Sequence, residues 1–138
     1  MRPAMGEVRV KATLTNAADE ALVRRGVLTP EQVRTVEADA LVDTGAMRTV
    51  LPAEVVSRLG LAITGHLVTG YADGRREAVP LTEALIVELA GRRTVDDALV
   101  LGDEILIGQT VLEKLDLSVD CHGRRVIPNH GDQIVNRV

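Results

Sequence analysis

The residues best placed to do chemistry form one short run, Ala40-Leu41-Val42-Asp43-Thr44-Gly45-Ala46. An apolar strand feeds straight into a carboxylate. Burying an ionised carboxylate is costly unless something compensates it, so Asp43 calls for a companion at the end of its strand. Part of the pattern has an ordinary structural reading. Asp caps a turn, Thr bonds nearby backbone, and Gly supplies backbone freedom.

Other candidates carry less. His66, His122 and His130 are scattered over a probable strand, a turn and the tail, with none of the spacing of a metal site. Ser57 and Ser118 lack the surroundings of an activated serine. The one cysteine, Cys121, excludes an intrachain disulfide and a cysteine-rich zinc site. No metal ligands and no cofactor are therefore expected. The pairs Arg24-Arg25, Arg75-Arg76, Arg92-Arg93 and Arg124-Arg125 read as solvated charge at turns.

The elements that must position Asp43 follow from periodicity. The chain has 138 residues, the size of one domain, with 46% hydrophobic and 26% charged residues. It has no Phe, no Trp and a single Tyr71, so the core is aliphatic. Val8, Val10, Ala12 and Leu14 alternate with polar residues and predict a strand, and residues 33–43 predict a second that ends at Asp43. Residues 17–32 read as a polar connection with a helical turn. Residues 52–61 predict a helix, with Pro52 at its first turn and Gly60 past its end. A hairpin turns at Asp73-Gly74. Residues 76–91 read as a returning strand, and residues 92–108 as a strand, a turn and the apolar run Ile105-Leu106-Ile107-Gly108. Val111, Leu112 and Leu115 fall at helical spacing, and a last hairpin turns at His122-Gly123. The expectation is an all-β fold, about seven short strands with one or two short helices, closed or partly closed into a barrel.

Three features in this order, the Asp43-Thr44-Gly45-Ala46 run, a turn-tipped hairpin over residues 67–80, and Leu106-Ile107-Gly108 leading into a helix, resemble the retropepsin-like aspartic proteases, and in particular their bacterial single-domain members. The resemblance spans residues 6–128 and implies one retropepsin-like domain over residues 1–138, one lobe per subunit, with 129–138 as a C-terminal tail. It implies Asp43 as the catalytic residue, supported by Thr44 and Gly45. It also implies substrate contacts from Ala46 at the cleft floor and from Tyr71, Ala72, Asp73, Gly74 and Arg75 at a flap tip.

Peptide hydrolysis in that family needs two carboxylates that share a proton and activate a water. The chain holds one Asp-Thr-Gly run. Asp73, Asp96-Asp97 and Asp103-Glu104 sit in turn contexts without the motif. The resemblance therefore implies a homodimer, with a peptide or protein as substrate. Residues 3–10 and 126–138 are the candidates for a terminal intersubunit sheet, and Ile134, Val135 and Val138 are the apolar residues such a clasp would bury; the alternative for the tail is that it is disordered or folded onto its own subunit. The alternative is a protease-like barrel that binds peptides or dimerises with little or no hydrolysis.

The formal net charge of −4, with charges interspersed, gives no basic stripe for nucleic acid. No apolar run has the length of a signal-peptide core or a membrane span, so a cytoplasmic protein with no membrane segment is expected. Since no ligand cluster is legible, EDTA should leave any hydrolytic activity unchanged. A loss of activity that a divalent cation restores would show a metal enzyme instead.

Overall fold

The computed structural model describes residues 7–138. Its larger sheet contains β1 (Val8–Asn16), β2 (Thr35–Val42), β3 (Thr49–Leu51), β4 (Ile63–Gly70), β5 (Arg76–Thr82), β6 (Leu85–Leu89), β7 (Arg92–Asp96), β8 (Ala98–Val100) and β9 (Leu106–Ile107). Their order is β4-β5-β8-β3-β9-β2-β1-β6-β7. A separate hairpin joins β10 (Leu117–Asp120) and β11 (Arg125–Pro128). Three helices, α1 (Ala17–Arg24), α2 (Ala53–Leu59) and α3 (Gln109–Leu115), complete the described chain.

Strands β1 and β2 pair antiparallel from Val8↔Val42 to Thr15↔Thr35. The alternation in β1 buries Val8, Ala12 and Leu14, with Val10 packed at the margin. β2 alternates up to Ala38 and then buries Ala40, Leu41 and Val42 in succession. The change marks where the strand enters the sheet's interior, between β1 and a parallel β9. Helix α2 ends at Gly60 with φ 63°, as the sequence predicted, whereas Pro52 occupies its N-cap rather than its first turn. Helix α3 buries Val111, Leu112 and Leu115.

Several expectations need correction. Among the described residues no closed barrel forms: β4 and β7 end the strand order, whereas a barrel requires its last strand to bond its first. Helix α3 packs against β7 instead, and Lys114 Nζ donates to Val95 O at 2.7 Å. The helices number three because residues 17–24 form a two-turn helix. Asn16 caps it by accepting from Asp19 N at 3.0 Å, and Asn16 Nδ2 donates to Leu59 O at 2.8 Å. Buried Asp19 accepts from Arg34 through Nε at 2.8 Å, Nη2 at 2.9 Å and the backbone N at 3.0 Å, which holds its carboxyl below the usual range. The Arg34 guanidinium lies over Gly60, where a Cβ would come within 1.8 Å of Nη1. The returning strand is two strands, broken at Glu83-Ala84.

The C-terminal segment is engaged within its own protomer. Residues 3–6 of the proposed terminal sheet lie outside the described residues, and Val8, Arg9 and Val10 belong to β1. At the other end, β11 pairs with β10 of its own protomer. Asp116 then gathers the segment that follows. Oδ1 accepts from Asn129 Nδ2 at 3.0 Å, and Oδ2 accepts from Val135 N at 3.0 Å. His130 Nδ1 lies 2.6 Å from Oδ2. Ile134, Val135 and Val138 stay exposed. The Val135 N–H foremost, then Asn129 and His130, hold the Asp116 carboxyl at about 2 against an ordinary 3.8. A carboxyl lowered on folding stabilises fully above its unfolded value, and that stabilisation is lost as pH falls through the folded value. Thermal melts from pH 7 to 2 should show Asp116→Asn less stable than wild type at neutral pH, with the difference shrinking between pH 4 and 2. A constant difference across that window would show that the carboxylate charge is not what Asp116 contributes.

Candidate active site

Asp43 stands one residue beyond β2, where the sheet delivers it. Leu41 N donates to Ile105 O at 2.9 Å and Asp43 N to Ile107 O at 2.9 Å, so β9 carries the strand end up to the carboxylate. The side chain is half-buried. A tight turn follows: Gly45 N donates to Asp43 Oδ1 at 3.0 Å and Ala46 N to Asp43 O at 3.1 Å. Gly45 is not in the left-handed region. Its merit is space, because a Cβ there would sit 3.2 Å from Asp43 Oδ1. Thr44 is exposed, and Ala46 is half-buried.

The turn rests on the start of α3. Gln109 N donates to Ala46 O at 2.8 Å, and Thr110 donates to Met47 O through N at 3.1 Å and Oγ1 at 2.5 Å. Gly108 is the N-cap of α3. A Cβ on Gly108 would lie 2.7 Å from the carbonyl oxygens of both Met47 and Arg48, closer than real contacts allow. The glycine is required here because two backbones touch, with no unusual φ involved.

The hairpin residues form a second group with its own bonding. The connection between β4 and β5 runs from Tyr71 to Arg75, and the bonded pair Tyr71 and Arg75 closes three residues, Ala72, Asp73 and Gly74, rather than a two-residue turn. Tyr71 N donates to Arg75 O and Gly74 N to Tyr71 O, both at 2.9 Å. Gly74 takes φ 87°, as such a loop requires. Asp73 accepts from Arg75 N at 3.0 Å and Arg75 Nε at 2.7 Å, and these bonds lower its carboxyl. The Arg75 guanidinium lies 4.8 Å from the centre of the Tyr71 ring. Tyr71 OH donates to Glu77 Oε2 at 2.9 Å, which raises the phenol. Tyr71, Asp73, Arg75 and Glu77 thus order one another.

Sequence reasoning missed the groove that opens beyond the Asp43 turn. It holds about 570 Å³, and Met47, Arg48, Asp96, Asp97, Thr110 and Lys114 are among its walls. Asp96 is a buried strand residue, not a turn residue: Oδ2 accepts from Thr49 Oγ1 at 2.7 Å and Thr49 N at 3.2 Å. Arg48 Nη1 donates to Asp97 Oδ1 at 3.0 Å. β7 buries its charged Arg92 and Asp96 while Val95 is 51% exposed, the reverse of what hydropathy announces. Among the described residues no cluster of metal-ligating side chains occurs, and no helix is long and apolar enough to cross a membrane.

A model of the aspartyl protease family matches residues 29–111, over half of the chain, from the connection before β2 into the first turn of α3. The chain belongs to that family. The solution structure of the protease of simian foamy virus (mac) is similar at 15% identity, covering 75% of this chain and 90% of that one with a TM-score of 0.48. No curated protein matches the chain. The matched span includes both the Asp43 turn and the Gly108 contact beneath it. Gly108→Val should therefore lower stability by about 2 kcal/mol or more, the scale of overpacking against fixed atoms. Thermal unfolding checks this, and a normally melting variant would refute the contact.

Proposed function

We propose that the protein is a homodimeric aspartic endopeptidase. In this reading a water sits between Asp43 and Asp43 of the partner subunit. What carries it is a single Asp-Thr-Gly run, set at the end of β2 on a turn braced by β9 and α3, in a chain of the aspartyl protease family. One subunit supplies one such carboxylate, and a two-fold axis supplies the second without further design.

Two like charges held close cannot both ionise readily, so the pair keeps one proton. The ionised carboxylate takes a proton from water as the water oxygen bonds to the scissile carbonyl carbon. The protonated partner donates to the carbonyl oxygen, giving a neutral gem-diol. Proton transfer to the amide nitrogen then lets the C–N bond break, leaving a carboxylic acid and an amine. No metal or cofactor enters this chemistry. Ala46 forms part of the cleft floor, where its small side chain leaves room for substrate, and Thr44 braces the two turns across the axis. The hairpin over residues 67–80 acts as the flap, with Tyr71 and Arg75 nearest the substrate. Residues 1–138 are one catalytic domain.

The decisive test is a peptide-library digest read by mass spectrometry, wild type beside Asp43→Asn. The wild type should cleave, and Asp43→Asn should lose activity while keeping its melting temperature and dimer mass. Specific activity of the wild type should fall on dilution as the dimer dissociates. Undiminished cleavage by Asp43→Asn would overturn the assignment. A persistent monomer with no cleavage would leave a peptide-binding module as the better reading.

A further inference from the structure

Helix α3 has seven residues, too few to persist in isolation. The backbone groups that no helix of this length can satisfy internally are met from outside at both ends. At the amino end, Gln109 N and Thr110 N serve the carbonyls of Ala46 and Met47. At the other end, Arg92 Nη1 donates to Leu115 O at 2.7 Å and Asp116 O at 3.3 Å. Arg92 Nη2 donates to Gly131 O at 2.6 Å and Gln133 O at 3.4 Å. Arg92 is 9% exposed, and these four acceptors are all carbonyl oxygens. A planar guanidinium can span such a set, and its charge suits the carbonyl end of a helix.

Asp116 makes the same junction from the other side. It has φ 56°, a conformation costly for a residue with a Cβ and ordinarily given to glycine at a helix end. Its carboxylate meets Asn129, His130 and Val135, all from one segment, and its carbonyl accepts from Asn129 N at 3.0 Å. Ser118 Oγ also donates to Asn129 Oδ1. A strained residue thus holds a stretch without regular secondary structure, and that stretch leaves Ile134 and Val135 exposed. Burial of its own apolar residues does not account for its order.

We infer that residues 129–135 form a clasp, closed by Arg92 and Asp116 on the carbonyl end of α3, and that this clasp sets the position of the Asp43 turn through the helix. The helix is a strut of about 10 Å, tied to the turn at one end and to the clasp at the other. Arg92 and Asp116 are positioning residues in this scheme. Its activity arm rests on Asp43 being catalytic, whereas its structural arm does not.

Asp116→Gly separates the clasp from a plain helix cap, because glycine relieves the left-handed conformation while removing the carboxylate. A plain cap would melt as high as wild type or higher, with unchanged hydrogen exchange. An opened clasp should free the Val135 amide and speed exchange at Gln109 N and Thr110 N by about tenfold or more. It should also lower kcat on the order of tenfold, with KM within about twofold. Arg92→Lys keeps the charge but cannot span four carbonyls, and should speed the same two helix amides. Asp116→Asn, which keeps one acceptor oxygen, should fall between wild type and glycine. Unchanged Val135 exchange in Asp116→Gly overturns the clasp, and freed Val135 with wild-type Gln109 and Thr110 overturns its coupling to the turn. A wild-type protein with no peptidase activity overturns the reading of Asp43 alone, and the exchange rates then decide the clasp.

Discussion

The constraint on which the site depends is the contact of Gly108 with the backbone of Met47 and Arg48, where not even a methyl group fits. Three pieces of chain meet at that point. β2 arrives bonded to β9, the Asp43 turn folds back over Gly108, and α3 begins with amides that hold the turn's carbonyls. The position of Asp43 is therefore set by main-chain atoms, which have few ways to rearrange. A carboxylate on such a support keeps its direction even though it lies beyond the last strand residue. That is the property a water-activating pair would require of each member.

Around that joint the core is aliphatic, with no Phe and no Trp. Val, Leu, Ile and Ala fill volume but specify orientation weakly. The junctions between elements are specified by buried charge instead. Asp19 ties α1 to the start of β2 through Arg34, Asp96 ties β7 to β3 through Thr49, and Arg92 with Asp116 ties α3 to the tail. Each would be costly if left unmet. Among the described residues no buried side-chain nitrogen or oxygen lacks a hydrogen-bond partner.

The hairpin is built on a different principle. β4 is an edge strand with most of its residues exposed or half-exposed, so little burial fixes its end. Its order comes from the bonds among Tyr71, Asp73, Arg75 and Glu77. The Asp43 turn, fixed by the interior, and the hairpin tip, fixed by itself, are two supports of opposite kind.

Local chemistry by itself determined much of this. The alternation of β1, the helical spacing of Val111, Leu112 and Leu115, the glycine that ends α2 and the Asp73-Gly74 turn were legible because each depends on residues close in sequence. The place of Asp43 at a strand end, and the glycine before α3, were legible from motif order. What tertiary structure alone decided concerns partners far apart in the chain. The open strand order depends on which edges find neighbours, and the splitting of residues 76–108 into five strands depends on β8 and β9 finding β3 and β2. The inverted burial of β7 is invisible to hydropathy, because Asp96 is buried by virtue of Thr49 and Arg92 by virtue of carbonyls in α3 and the tail. The tail is the clearest case. Its apolar residues drew attention in the sequence, yet its backbone and Asn129 are what the protomer holds, through a carboxylate 13 residues away from that asparagine. Main-chain donors and acceptors are the same at every position, so only the folded chain selects which of them a buried charge will meet.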